Sequence, residues 1–184
     1  MKAADPLREH DKPSEVADSS AQVSDTQVSL ATAKVVPEVV TKITEKASLK
    51  VSYDGKAVNN GEMLTPSETQ DEPAIDIKGS ETYTLVMVDP DAPSPDNPKF
   101  RYYLHWLVAN IPGVDVQRGD VIVDYMGPSP PKAKHRYVFI LYPQHGRVNA
   151  KAPKAHHNFT LHQFEKEHNL GDPADVKFFY SSPE

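Results

Sequence analysis

Two carboxylates and two imidazoles carry most of the chemistry this sequence can offer. Asp89 and Asp91 stand two apart in Asp89-Pro90-Asp91-Ala92-Pro93-Ser94. In an extended segment that spacing points both side chains the same way. Pro90 and Pro93 fix φ and remove backbone donors, so the segment is stiff. Taken alone it reads as a polar turn with a capping Asp. A second segment, Met126-Gly127-Pro128-Ser129-Pro130-Pro131, is followed closely by His135 and Arg136. Its prolines rigidify the chain, and Gly127 allows close backbone approach. Between the two lies Tyr103-Leu104-His105-Trp106-Leu107. Strand alternation puts Tyr103, His105 and Leu107 on one face and Leu104, Trp106 and Val108 on the other.

A carboxylate that accepts from an imidazole N–H fixes the ring's tautomer and raises its pKa. The remaining nitrogen and the charge are then available to an anion. Two His and two Asp in reach of one another therefore fit three functions. The first is an anion pocket built on charge-assisted hydrogen bonds. The second is a metal site. The third is a hydrolase using His and Asp as acid and base. No G-x-S-x-G, H-E-x-x-H or P-loop is present, and Ser129 lacks a glycine elbow. Lys132, Lys134 and Arg136 add a small basic rim.

The elements that must position these groups are mostly strands. Leu49 to Tyr53, Lys56 to Asn59, Ala74 to Ile77, Tyr83 to Val88, Tyr102 to Asn110, Val121 to Tyr125, Arg136 to Tyr142 and Val176 to Tyr180 are short and rich in β-branched or aromatic residues. Pro, Gly and Asp clusters separate them, with Asp54-Gly55 as a hairpin turn. The pattern is that of an all-β sandwich or barrel. Val35, Val36, Val39, Val40 and Ile43 predict a short helix from about Glu38. A second helix is predicted after Thr160, with Gln163 completing a capping box and Gly171 as the stop. Residues 1–28 hold no aromatic residue and predict a disordered acidic tail ahead of a single domain, 29–184.

Composition removes several classes. The 184 residues include no cysteine, which excludes a disulfide scaffold, a thiolate metal site and a cysteine nucleophile. A net charge of −6 argues against direct nucleic-acid binding. No apolar run approaches the roughly 18 residues of a membrane span. The expectation is a monomer of the cytoplasm that is small enough to reach the nucleus, with no metal and no cofactor.

At these residues the chain resembles the phosphatidylethanolamine-binding protein family, which includes the Raf kinase inhibitor protein, fungal carboxypeptidase Y inhibitors and plant flowering-time regulators. The resemblance runs from about Ala33 to Tyr180. It rests on Asp89 to Ser94, on Arg101 through His105-Trp106, on Gly127 to Pro131, and on His135-Arg136-Tyr137. The short link from Pro130 to His135 is most similar to plant-type members. The resemblance implies a large antiparallel sheet packed on a smaller one with a few short peripheral helices. It also implies a pocket for phosphoryl anions, phosphoethanolamine or a phospholipid headgroup. Carried over, Asp89 and Asp91 hold that pocket and His105 and His135 face the anion. Ala92, Pro93, Tyr103, Pro131 and Tyr137 form its walls, and Ser129 lies on its loop. The implied function is non-enzymatic: a signalling regulator acting on a kinase or, through a 14-3-3-type adaptor, on a transcription-factor complex. The alternative is a serine carboxypeptidase inhibitor acting through its N-terminal segment.

Overall fold

β5 (Thr82–Asp89) shows why this chain makes a layered sheet. Its sequence TYTLVMVD is buried at every position after Thr82. An uninterrupted apolar strand needs cover on both faces. The covers are visible in the core. Val86 and Val88 pack with Leu104, Val138 and Ile140, and with Val39 and Phe164 from peripheral segments. Leu85 and Met87 pack with Trp106 and Phe139, and with Leu49, Val51 and Ile77 of a second sheet. Residues 29–184 are described in this computed structural model. The acidic tail expected over 1–28, and with it any inhibitory N-terminal segment, lies outside them.

The second sheet is small, with β1 (Ser48–Tyr53) at its centre, flanked by β2 (Lys56–Ala57) and β4 (Ala74–Lys78). Asp54 and Gly55 both take positive φ, which makes the tight β1–β2 turn. The large sheet has six strands. Besides β5 these are β3 (Glu62–Met63), β6 (Tyr103–Pro112), β7 (Asp120–Val123), β8 (His135–Pro143) and β9 (Asp175–Ser181). Their order is β3-β9-β8-β5-β6-β7. Every pair is antiparallel except β3 with β9. Two sheets with short peripheral helices is the expected fold class.

Three local expectations are corrected. The helix expected from about Glu38 is instead a single turn, α1 (Val35–Glu38), so it ends where it was expected to begin. Val36 precedes Pro37 and is extended, φ −108° and ψ 121°, which breaks helical continuity. Val39, the C-cap, and Val40 beyond it still reach the core. In the later helix, α2 (Leu161–Glu167), Thr160 makes no side-chain cap bond and Gln163 turns forward to Glu167. The capping box therefore does not form. Finally, Trp106 does not share a layer with Leu104. One step along β5, from Val88 to Met87, spans two residues of β6, from Leu104 to Trp106. This bulge inserts His105 as an extra residue and breaks the alternation. Leu104 and Leu107 face one core, Trp106 and Val108 the other.

Candidate functional site

The end of β5, the start of β8 and the β6 bulge meet on one face of the large sheet. Asp89 closes β5 and His135 opens β8, two strands that are direct neighbours. The His135 Nδ1–H donates to Asp89 Oδ2 at 2.7 Å, and its Nε2–H donates to the Lys132 carbonyl at 2.9 Å. A ring whose two nitrogens both face acceptors is an imidazolium. Burial works against that charge, but the Asp89 carboxylate outweighs it and holds His135 above its ordinary 6.5. His135 is 0% exposed, and the protein engages both of its nitrogens.

His105 is arranged differently. Its Nδ1–H donates to the Met126 carbonyl at 2.7 Å, and its own carbonyl accepts from the Met126 N–H at 2.9 Å. Its Nε2 has no hydrogen-bond partner among the described residues. Burial pushes its pKa below 6.5, against the pull of the Met126 carbonyl and Asp89. Tyr103 leans on His105 with ring centroids 5.1 Å apart, and Tyr137 meets His105 edge to face at 5.3 Å. Tyr137 also stacks on His135. Burial and the Asp89 charge raise the Tyr137 hydroxyl far above its usual range, so it stays protonated.

Asp91 serves a neighbouring network. It accepts the Arg136 backbone N–H and two guanidinium N–H groups, at 2.8, 3.0 and 2.7 Å. Arg136 reaches on to Glu38 at 2.8 Å and to the Ala33 carbonyl at 3.0 Å. Arg101 bonds the Pro90 carbonyl and pairs with Glu38. The basic rim therefore loses Arg136, which is 8% exposed and bound to Asp91. The Asp91 backbone N–H donates to Asp89 Oδ1 at 2.7 Å, which links this network to the Asp89–His135 pair.

The expected residues thus separate into groups. Asp89, His105, His135, Tyr103 and Tyr137 come together. Asp91 stands one step behind them. Ala92 is buried, Pro93 is half-buried, and the 92–93 bond is cis. Ser129 and Pro131 lie exposed on the 127–134 loop, while Pro128 and Pro130 are buried. No three His, Asp or Glu among the described residues are grouped to hold a metal, and no described helix is long and apolar enough to cross a membrane.

Two residues of the site were not expected. His156 stacks on Tyr103, centroids 5.7 Å and planes 13° apart. The only hint in the sequence is an imidazole pair, His156-His157, in a Lys-rich loop. Ser181 lies directly opposite His135 in the β8–β9 register, hence on the same face. Its hydroxyl is buried and has no hydrogen-bond partner. A lone Ser at a strand end gives no signal of this kind in sequence.

Comparison with known proteins identifies the family and the fold. The family profile described as "Phosphatidylethanolamine-binding protein" matches residues 41–179. "Protein FLOWERING LOCUS T" of Arabidopsis thaliana is 44% identical over 154 residues, 82% of this chain and 88% of that protein. "Protein MOTHER of FT and TFL1 homolog 2" of Oryza sativa subsp. japonica is 40% identical over 161 residues, 84% of this chain and 92% of that protein. Among solved structures, the carboxypeptidase Y inhibitor in complex with its cognate proteinase superposes with TM-score 0.76 at 23% identity, over 88% of this chain and 96% of that one. The phosphatidylethanolamine-binding protein of Plasmodium vivax gives TM-score 0.69 at 24% identity, over 85% and 97%. At those identities the two structures speak to the fold, while the sequence relatives are plant proteins. The chain belongs to the phosphatidylethanolamine-binding protein family, and its similarity to these relatives supports the plant-type branch.

Proposed function

We propose that this chain is a non-enzymatic regulatory binding protein whose His–Tyr cluster takes a phosphorylated ligand or a phosphoethanolamine-type headgroup. Ligand occupancy modulates a signalling partner, a kinase or a transcription-factor complex. The carrying observation is His105: one ring nitrogen is fixed by the Met126 carbonyl and the other has no protein partner. The adjacent His135 imidazolium is already paired with Asp89, so the hydrogen bond offered to an anion is the one from His105 Nε2. Family membership and the plant relatives support a regulatory rather than a chemical role.

Among the described residues no serine is hydrogen-bonded to His105 or His135, so no nucleophile–base pair is formed. His135 has no nitrogen left to take a proton. Ser129 is exposed on its loop and has no hydrogen bond from either histidine. The test is a titration of phosphoethanolamine into the full chain near pH 7, followed by the histidine ring signals in NMR. The His105 ring is expected to shift in the wild type, and binding is expected to weaken at least about tenfold in His105→Ala, the loss of one charge-assisted hydrogen bond. An unmoved His105 signal at millimolar ligand would overturn the reading.

A further inference from the structure

The loop before β8 is tied down at one point. Among the described residues, the hydrogen bonds of residues 127–134 reduce to a single one, accepted by the Lys132 carbonyl from the His135 Nε2–H at 2.9 Å. Gly127, Pro128 and Pro130 are buried, so packing anchors the first half of the loop. Pro131, Lys132, Ala133 and Lys134 are all exposed. The Lys134 ammonium lies 4.3 Å from the Tyr180 ring centroid, an exposed cation–π contact and weaker than a hydrogen bond from a charged donor.

The donor of that bond cannot follow the loop. His135 is 0% exposed, stacks on Tyr137 and sits on β8 between β5 and β9. Its Nδ1–H is engaged by Asp89 Oδ2, and Asp89 Oδ1 is held in turn by the Asp91 N–H. The charged ring has two N–H groups for its two acceptors, and the neutral ring has one. Loss of the Nδ1 proton would turn a lone pair on a carboxylate at 2.7 Å. Loss of the Nε2 proton turns it on a neutral carbonyl at 2.9 Å, which costs less. The ring is locked and Pro131 to Lys134 are exposed, so the segment is the part that moves.

No other group around the ring takes this role. Asp89 faces it from β5 and His105 from β6, and burial keeps His105 neutral above pH 6.5. Asp91 is bound to Arg136, and the Tyr137 hydroxyl stays protonated. Opposite His135 on β9 stands Ser181, which carries no charge.

We propose that His135 is a proton-operated latch on the segment from Pro131 to Lys134. With both ring nitrogens protonated it ties the Lys132 carbonyl down. When the Nε2 proton passes to solvent, lone-pair repulsion replaces the bond and the segment swings out, uncovering the ring. Asp89 holds His135 above 6.5, so the latch is closed at and below that pH and opens on the alkaline side. It operates without a ligand, so it stands or falls apart from the phosphoryl reading.

The sequence supplies the control for the test. Pro-Lys-Ala occurs at 131–133 in the latched segment and again at 153–155, with Lys132 and Lys154 both exposed. Trypsin cleavage of the full chain after Lys132 is divided by cleavage after Lys154, both read by mass spectrometry, which cancels the protease's own pH dependence. The ratio is followed from about pH 6 to 9.5 beside the His135 ring signals in NMR. It is expected to rise about tenfold, the size of one hydrogen bond from a charged donor, with the midpoint of the ring's titration. Global unfolding exposes both sites alike and cannot produce this rise. In Asp89→Asn the rise should come at lower pH; if that variant does not fold, the wild-type series decides alone. A flat ratio across the ring's titration, a rise with a different midpoint, or a ring that does not titrate in this range overturns the latch.

Discussion

His105 and His135 lie on one face of one sheet, yet the protein moves them in opposite directions. Burial lowers His105, whereas Asp89 holds His135 above 6.5. The consequences for stability have opposite signs. The His135 contribution is fully present below about pH 6.5 and is lost as pH rises through its higher folded value. The His105 contribution is present above about pH 6.5 and is lost as pH falls through its lower folded value. Asp89→Asn removes the first of these. Because the substitution breaks a buried pair, it should cost about 3–5 kcal/mol. The gap to wild type in thermal melts should be widest near pH 6 and shrink toward pH 9; a gap independent of pH would contradict the charged assignment of His135. Ser181→Ala should go the other way. It removes a buried hydroxyl without a partner, and the expected gain is about 1 kcal/mol in chemical denaturation. At this scale Asp89 and His135 were legible in the sequence, because stiff motifs mark them. Ser181 and His156 were not, since their roles come from register and stacking that only the folded backbone creates.

The loop from Met126 to Lys134 does at the element scale what no single residue does. It carries the carbonyls that orient both His105 and His135. Its position depends on the 65–72 segment beneath it. Tyr125 donates to the Thr69 carbonyl at 2.7 Å, and the Tyr53 hydroxyl joins it at 2.7 Å. Gly127 lies so close that a Cβ there would meet the Thr69 carbonyl at 2.9 Å and Gln70 Cα at 3.0 Å. Both are backbone and cannot swing aside. Gly127→Ala should therefore displace the loop, cost roughly 1–3 kcal/mol as an overpacking change, and weaken phosphoethanolamine binding. Binding and melting temperature would report it; unchanged values of both would show that the loop does not orient the rings. The strands around this loop were readable from their β-branched and aromatic residues and from the turn residues between them. Two features were not. The β6 bulge shifts parity without changing composition, and β3 is two residues long in a turn-like stretch. The failed helix expectation has the same origin: the valine spacing reports burial, and Pro37 decides the backbone.

The whole molecule is held at its N-terminal side by Arg136. One guanidinium joins β8, the Asp91 segment, Glu38 of α1 and the Ala33 carbonyl. Arg136 overcomes burial and holds Glu38 below its ordinary range. Arg136→Met should strip the buried Asp91 of both guanidinium hydrogen bonds, leaving it the residue-136 backbone N–H and the more distant Arg101 at 3.7 Å. The expected loss is about 3–5 kcal/mol, or a Tm drop of about 10 °C, and Arg136→Lys should recover only part of it because the forked contact is lost. A Tm within about 2 °C of wild type for Arg136→Met would mean that the network is replaceable by packing. The strands made the all-β class legible as a sandwich or barrel, and the family resemblance implied the large sheet packed on a smaller one. The strand order was not. β3 pairs with β9, and the Phe178 N–H donates to Asn60 across 118 positions of sequence. Contacts that distant close late, after loop entropy has been overcome. While a ribosome is still making the chain, β8 is present without its partner β9, and its apolar edge stands open. Synthesis must run almost to Ser181 before that edge can be shielded, so this protein's dependence on chaperones should be greatest during translation, with the assembled sheet self-sufficient afterwards.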